Sequence, residues 1–455
     1  MEDDCSERRL SLLCSSKAGG FAIVMFLGAD HAQQQEWYHL DNAATLFPSV
    51  ASARITTLFR VSATLKRPVN VTALQNALAN IMPRFPYYLV HLKAGMFWHF
   101  LVRKEGTPRV VADSRWPCMS TSHGMRGIYL FRVRAFGRRV AVEFSHIITD
   151  GTGALTFLRA LLLEYFLLLG SGPCDPGDIF RKESAPDPDE FEDAYRRYFT
   201  KSVPGPEPHR RAFRLPYALL PVGVYRIVTG IVPVQELAGK AKEHGVTITV
   251  FLAAVLAQAL HDLYLELSGA ARRRAGKFIR LEVPVNLRRI YATKTMRNFS
   301  LFVMPGIDMR LGRYSLEQTI TLFHHFMKVA VDGRFINQQI ARNIRGERNP
   351  FVRAVPLFMK NLIFPYLYFS EGEALVSSVL TNLGVVAMPE PLSHLIERFE
   401  FIPAPTKWNK TGCAVITYGE STYITFGRMV HEAEVERRFF SALVKLGIRV
   451  KIESN

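Results

Sequence analysis

Hydrophobic and polar positions alternate along several short segments of the chain, and between them the period changes to that of a helix. Residues 55–65 alternate with a period of two, which predicts a half-buried strand. The next segment offers Asn70 or Thr72 as a helix cap. The apolar residues on one face of this predicted helix are Leu74, Leu78 and Ile81. The first elements of the chain are therefore a strand and an amphipathic helix.

Strand and helix patterns continue through both halves of the chain. In the first half they predict strands at 88–92, 96–102, 128–133 and 139–145 and a helix after Gly151. In the second half they predict strands at 225–232 and 277–285, a helix capped by Thr247 or Thr249, a helical segment at 315–344, an extended segment at 373–387, a hairpin at 413–426 and a final helix at 432–446. This mixture favours an α/β fold of two lobes, with the site in the cleft between them.

Residues 171–221 interrupt the pattern with nine prolines, an acidic cluster and little apolar periodicity. They are predicted to be a crossover between an N-terminal lobe, 37–170, and a C-terminal lobe, 222–455. Residues 1–36 are predicted to be an irregular leader. Residues 21–29 have the length of a signal-peptide core, but the chain opens with acidic residues and no small-residue cleavage site follows. This interpretation includes a reading frame whose true start is Met25, and a signal peptide is the alternative.

Composition and charge narrow the class of protein. The 455 residues are 48% hydrophobic and 21% charged, which excludes a disordered chain, a collagen-like repeat and a coiled-coil rod. The net charge of +17 favours an anionic partner, and without a recognisable nucleic-acid module we expect no nucleic acid. Five scattered cysteines without a CxxC motif indicate reduced thiols in a cytoplasmic protein and no metal site.

Two apolar segments bear on membrane contact. Residues 155–169 are interrupted by Arg159 and Glu164, so no transmembrane helix is predicted. Residues 356–369 are rich in Leu, Phe, Ile and Tyr. The sequence favours core for this segment over a membrane-binding foot, with the wall of an acyl or alcohol tunnel as a third use.

The residues best suited to chemistry lie at 144–153, Phe-Ser-His-Ile-Ile-Thr-Asp-Gly-Thr-Gly. His146 stands at the end of a predicted strand, where it can project into a cleft, and an imidazole suits proton transfer at neutral pH. Asp150 precedes the helix and can cap it or pair with a cation. Gly151 and Gly153 allow a tight turn. The pattern predicts His146 as a general base and Asp150 as an orienting group.

His-x-x-x-Asp-Gly between a strand and a helix resembles the signature of a superfamily of acyltransferases. The superfamily includes chloramphenicol acetyltransferase, plant BAHD acyltransferases, condensation domains and alcohol acetyltransferases. Segments 283–288, 296–299 and 377–384 agree with it in order, and 40–44 and 83–86 suit the alcohol acetyltransferase branch. The resemblance runs from about residue 37 to the end. The Asp-Phe-Gly-Trp-Gly motif of the plant enzymes is absent, and Ser145 replaces the second His usual in condensation domains.

The resemblance implies a two-lobed chloramphenicol acetyltransferase-like fold, with a mixed sheet and flanking helices in each lobe. It implies one direct transfer of an acyl group from a thioester to a hydroxyl or amine, with His146 removing the acceptor's proton. Asp150 would pair with Arg288 beneath the His146 loop, and Gly151 would form the turn. Thr381 and Asn382 are the candidates for contacts with the oxyanion or substrate.

The same resemblance implies acyl-CoA as co-substrate, a small alcohol or amine as acceptor, and no permanently bound cofactor. Two alternatives stay open. One is a condensing enzyme of the same fold that takes its acyl group from an acyl carrier protein. The other is a non-catalytic protein that binds a lipid or another anionic surface. Membrane contact is compatible with each of these functions and required only by the last.

Overall fold

The structure is a computed structural model that describes residues 36–119, 127–206 and 208–455. The predicted leader, 1–36, lies outside the described residues apart from Glu36. The strands are β1 (Trp37–His39), β2 (Leu58–Leu65), β3 (Val90–Ala94), β4 (His99–Arg103), β5 (Val110–Ala112), β6 (Phe131–Phe136), β7 (Arg139–Ser145), β8 (Arg226–Pro233), β9 (Phe278–Asn286), β10 (Ser300–Val303), β11 (Gly306–Asp308), β12 (Ser378–Val385), β13 (Ile396–Ile402), β14 (Thr411–Tyr418), β15 (Ser421–Arg428) and β16 (Lys451–Ser454). The α-helices are α1 (Phe47–Val50), α2 (Val71–Ile81), α3 (Gly151–Leu168), α4 (Ala194–Arg197), α5 (Val234–Glu243), α6 (Ile248–Glu266), α7 (Gly269–Arg274), α8 (Leu316–Ala330), α9 (Gly333–Arg348), α10 (Pro350–Ala354), α11 (Leu357–Glu371), α12 (Glu390–Ser393) and α13 (Glu434–Lys445).

Local signals set several of the helix boundaries. The Asn70 side chain accepts a hydrogen bond of 3.0 Å from the backbone nitrogen of Ala73 and begins α2, as predicted. The predicted helical segment 315–344 consists of two helices, α8 and α9. Asp332 separates them, because its carboxylate accepts from the backbone nitrogen of Arg334 at 2.9 Å and starts a new helix.

The sheet of the first half has the order β13-β2-β7-β6-β5. Strand β7 lies between β2 and β6 and ends at Ser145, so that His146 follows the carboxyl end of a central strand. Strand β13 comes from the second half of the chain and pairs antiparallel with β2. The predicted division into two lobes at 171–221 stays a prediction. Strand β13 follows that segment in the chain but belongs to the sheet of the residues that precede it.

The sheet of the second half has the order β10-β9-β12-β14-β15-β8-β16, and β11 also pairs with β9. Its strands β9, β12 and β14 run parallel to one another. In β14, Cys413 and Val415 point into a core formed with α6 and α13, whereas Ala414 and Ile416 join the core of the first half. Both faces of this sheet are therefore covered, and the face that carries Ala414 is turned toward the first half.

Two helices, α3 and α6, are long and apolar enough to cross a membrane by length and composition. No span is predicted at 155–169 because Arg159 and Glu164 interrupt it, but α3 meets the length and composition criterion despite these two charges. Most of α3 and α6 is buried inside the protein, which is typical of core helices. Their length and composition are therefore weak evidence for a membrane span.

The prediction that residues 356–369 belong to the core is wrong for one face of α11. Leu357 and Phe364 are buried, but Phe358 and Leu362 are 70% and 79% exposed. Composition alone did not distinguish the two faces, since both are apolar.

A buried charge network supports β7 ahead of the His146 loop. Glu143 is fully buried, and its carboxylate lies 2.6 Å from Arg60 Nη2 and 3.1 Å from Arg134 Nε, with Arg132 on the same carboxylate. Burial raises the pKa of Glu143, but the three guanidinium groups outweigh burial and lower it to about 2. The carboxylate is therefore ionised and holds three arginines together.

We expect Glu143→Gln to lower the free energy of unfolding by about 3–5 kcal/mol, because it removes the counterion that buried Arg60 and Arg134 share, although Arg60 keeps its pair with Asp113. Glu397→Gln, which breaks the exposed pair with Arg138, should cost less than about 1 kcal/mol. Urea unfolding at neutral pH measures both, and equal midpoints would contradict the prediction. The stabilisation by ionised Glu143 is present above its ordinary pKa of 4.5 and is lost as the pH falls through about 2.

Candidate active site

The backbone of His146 is held by residues from both halves of the chain. Its N–H donates to the carbonyl of Thr57 at 3.0 Å, and its carbonyl accepts from Asn298 Nδ2 at 2.8 Å. Thr57 has a φ of +57°, a conformation that is costly for a β-branched residue. The hydroxyls of Thr57 and Ser145 lie 2.8 Å apart and help to hold that conformation. The position of His146 is thus fixed by a strained neighbour and by a residue of the second half.

The imidazole of His146 lies among aromatic rings and stays partly exposed. Its centroid is 4.4 Å from the ring of Phe59 and 5.7 Å from that of Phe47. Burial lowers the pKa of His146 to about 4, although the Asp150 carboxylate and hydrogen bonds with Asn298 and the Thr149 backbone act in the opposite direction. The imidazole is therefore neutral at pH 7 and able to accept a proton.

Asp150 links the start of α3 to the second half. One carboxylate oxygen caps the helix by accepting from the Gly153 nitrogen at 3.2 Å. The other accepts from Arg288 Nη1 at 2.8 Å and from the backbone nitrogen of Phe299 at 3.0 Å. The structure thus brings Asp150 and Arg288 together, as the resemblance implies. Both oxygens of Asp150 are engaged beneath the His146 loop.

Arg288 directs its donors to protein groups. Its Nε donates to the carbonyl of Thr295 at 2.9 Å, and its Nη2 donates to the carbonyl of Arg297. Its Nη1 is shared between Asp150 and the side-chain oxygen of Asn286, the latter at 3.3 Å. Arg288 therefore positions the loop that carries Asn298 and leaves substrate contacts to other residues.

The two glycines of the motif allow close packing at the start of α3. A Cβ on Gly151 would lie 2.8 Å from Leu383 Cδ2, which belongs to β12. A Cβ on Gly153 would overlap Thr149 Oγ1 and lie 2.9 Å from the backbone oxygen of Met296. A side chain at either position would push the helix away from the second half.

The structure distinguishes the roles open to Thr381 and Asn382 in β12. Asn382 Nδ2 donates to Thr249 Oγ1 at 3.0 Å, and its Oδ1 accepts from the nitrogen of Gly384 at 2.8 Å, so this amide shapes the end of the strand. The hydroxyl of Thr381 makes no hydrogen bond within the described residues. By the alternation of a strand, Thr381 shares a face with Leu383, which packs on Gly151. Thr381 is thus the better placed of the two to donate to a bound molecule.

Comparison with known proteins identifies the fold. No protein-family model matches the chain, and no curated protein matches it by sequence. Among solved structures, TRI101 from F. graminearum, complexed with coenzyme A and T-2 mycotoxin, matches with a TM-score of 0.62 and 12% identity over 91% of this chain and 99% of that one. Polyketide synthase associated protein 5 from Mycobacterium tuberculosis matches with a TM-score of 0.58 and 14% identity over 90% and 98%. The condensation domain of the polyketide synthase MokA matches with a TM-score of 0.53 and 12% identity over 90% and 96%.

The chain has the two-lobed chloramphenicol acetyltransferase-like fold. At these identities the likeness establishes the fold alone. The arrangement of His146, Asp150 and Arg288 within it comes from this chain's own geometry.

The sequence draws attention to the segments of Asp41 and Asn298 but does not reveal their role. Asn298 Nδ2 donates to the fully buried carboxylate of Asp41 at 3.0 Å as well as to the His146 carbonyl. Asp41 also accepts from the backbone nitrogen of Ala44 at 2.8 Å. The first described segment of the chain therefore orients the amide that holds the His146 loop.

Sequence reasoning also missed two carboxyl groups, Glu282 and Glu373. Glu282 pairs in register with Val379 of β12, and burial raises its pKa to about 7. Glu373 is buried, neither of its side-chain oxygens has a hydrogen-bond partner among the described residues, and burial together with Glu282 raises its pKa to about 8. Alternation in β9 was the available signal, because buried Leu281 and Val283 flank Glu282 and place it on the other face.

We expect Gly153→Ala to lower the free energy of unfolding by about 1–3 kcal/mol, because the new methyl group meets the hydroxyls of Thr149 and Tyr88 and the backbone oxygen of Met296. Gly239→Ala is the matched control, since a Cβ there meets nothing within 4 Å and the residue lies inside α5. That change should be neutral or stabilise by up to about 1 kcal/mol. Urea unfolding measures both, and equal stability of the two variants would contradict the packing argument.

Proposed function

We propose that this protein is an acyltransferase that moves an acyl group directly from a thioester donor to a hydroxyl or amine acceptor. The observation that carries the proposal is His146, a partly exposed imidazole kept neutral by its surroundings and held by Thr57 and Asn298. The fold supports it, because the trichothecene 15-O-acetyltransferase TRI3 and a condensation domain share it. His146 acts as the general base, and Asp150 and Arg288 are positioning residues.

The acyl group passes directly from the thioester to the acceptor. A ring nitrogen of His146 takes the proton from the acceptor as its oxygen or nitrogen attacks the thioester carbonyl, which forms a tetrahedral oxyanion. The Thr381 hydroxyl donates to that oxyanion. Collapse breaks the carbon–sulfur bond, and the imidazolium returns its proton to the thiolate. The Asp150 carboxylate, which favours the charged imidazole, stabilises the state in which His146 holds the proton.

Acyl-CoA is the donor that the charge of the protein favours. The net charge of +17 attracts an anionic donor that carries several phosphate charges. The matching structures of F. graminearum TRI101 contain coenzyme A. An acyl carrier protein presents its acyl group as the same kind of thioester. A comparison of acyl-CoA with an acyl carrier protein in one assay identifies the donor.

We expect His146→Gln to reduce thioester cleavage by about 10²- to 10⁴-fold, because the variant has no base for the acceptor's proton. The assay measures free thiol from short-chain and long-chain acyl-CoAs, and from the same acyl groups on a carrier protein, with a panel of alcohols and amines. Acceptor-dependent thiol release by the wild type is the expected result.

His325→Gln is the matched control, because His325 is an exposed histidine on α8. This variant should release thiol at the wild-type rate. If His146→Gln is as active as His325→Gln, His146 is not the base. If the wild type releases no thiol from either donor with any acceptor, the transferase proposal fails.

The pH dependence follows from the lowered pKa of His146. The base works when neutral, so kcat/KM should be level above a pH of about 5 and fall as the pH drops through about 4. A histidine with an ordinary pKa would give an inflection near 6.5. Circular dichroism at each pH separates protonation from unfolding, and an inflection near 6.5 in folded protein would contradict the assignment.

A further inference from the structure

Helix α11 has an inner face that packs beside the active site. Its Lys360 Nζ donates to the carbonyl of Phe97 at 3.0 Å and lies 3.5 Å from the ring centroid of Trp98. The ring of Tyr368 lies 6.3 Å from that of Phe47, which in turn lies 5.7 Å from His146. The inner face of α11 is thus separated from the proposed base by one aromatic side chain.

The outer face of α11 is apolar and open to solvent. Phe358, Leu362 and Tyr366 follow one another at intervals of four residues, which places them in one row on the helix. They are 70%, 79% and 64% exposed. Other exposed apolar side chains on or beside this helix are Met96, Phe351, Met359, Ile363 and Leu367. We call these eight residues the apolar face.

The apolar face is continuous with the turn between β3 and β4. The backbone nitrogen of Leu357 donates to the carbonyl of Met96 at 2.8 Å. Phe358 and Met96 line one open groove of about 540 Å³ together with Leu357 and Asn361. Contiguous exposed apolar surface of this kind marks a place of contact with another molecule or a membrane.

The charges beside the apolar face indicate which kind of partner it binds. Residues 349–370 contain no Asp or Glu, and exposed Arg348 and Arg353 stand at the end where α9 and α10 meet α11. An apolar row with a cationic margin matches the interface of an anionic bilayer, in which side chains enter the acyl boundary and cations meet lipid phosphates. A second copy of this chain fits less well, since it would bring like charges together on a protein of net charge +17.

We propose that the apolar face docks this protein on an anionic membrane surface, with α11 lying in the plane of the interface. The inner face of the same helix, through Tyr368 and Phe47, then brings His146 close to the lipid. Entry of the acceptor or the acyl chain from the membrane is an extension that rests on the proposed function. The docking itself does not rest on it.

Sedimentation with vesicles tests the docking. The probes are vesicles of phosphatidylcholine alone and of phosphatidylcholine mixed with phosphatidylserine. We expect the wild type to bind the anionic vesicles. The triple variant Phe358→Ser/Leu362→Ser/Tyr366→Ser should bind at least about tenfold less, because it lacks the apolar insertion. The matched control Leu322→Ser/Phe326→Ser/Val329→Ser changes three exposed apolar residues of α8 and should bind like the wild type.

Two further variants separate the loss of docking from the loss of activity and from misfolding. His146→Gln should bind vesicles like the wild type, so that loss of transferase activity and loss of docking are separate outcomes. The single variant Leu362→Glu replaces the triple variant if the latter does not fold, and the same loss of binding is expected.

Three results would overturn the proposal. One is a wild type that stays in the supernatant. Another is binding that is unchanged in both the triple variant and Leu362→Glu. The third is a dimer in solution that these variants convert to a monomer, which would assign the apolar face to a protein interface.

Discussion

The carboxylate of Asp150 is the point on which the arrangement of this site depends. It is buried and accepts hydrogen bonds from Gly153, Arg288 and Phe299, which belong to two different halves of the chain. A buried carboxylate without such partners would carry a large desolvation cost, so the two halves are held at the distance that satisfies it. The start of α3, and with it the loop of His146, is placed by this requirement.

Desolvation has two opposing effects on His146. It keeps the imidazole neutral in the resting protein, and it weakens the ring as a base. The same desolvation strengthens the interaction with the Asp150 carboxylate once the ring gains a proton, because less water screens the two charges than in bulk solvent. The rings of Phe47 and Phe59 lie against the imidazole and contribute to its desolvation. They therefore affect the stability of both the neutral and the protonated form of His146.

Elements with local signals were predicted well from the sequence, and elements that depend on distant partners were not. The cap at Asn70 and the period of Leu74, Leu78 and Ile81 gave α2, and the His146 motif lies between a strand and a helix as expected. Strand β13 was missed because Arg398 and Glu400 interrupt its apolar pattern and its partner, β2, lies more than 300 residues earlier. The exposure of α11 was missed because composition does not reveal which side of an apolar helix faces water.

Strand β13, from the second half of the chain, completes the sheet of the first half, and this has a consequence for the synthesis of the protein. During synthesis the first sheet has an open edge at β2 until residue 402 has left the ribosome, long after the strands β2, β7 and β6 are complete. An unpaired edge strand is a template for aggregation. The nascent chain therefore carries an unpaired edge over most of its length, and a fragment that ends within residues 171–221 lacks the strand that closes this edge.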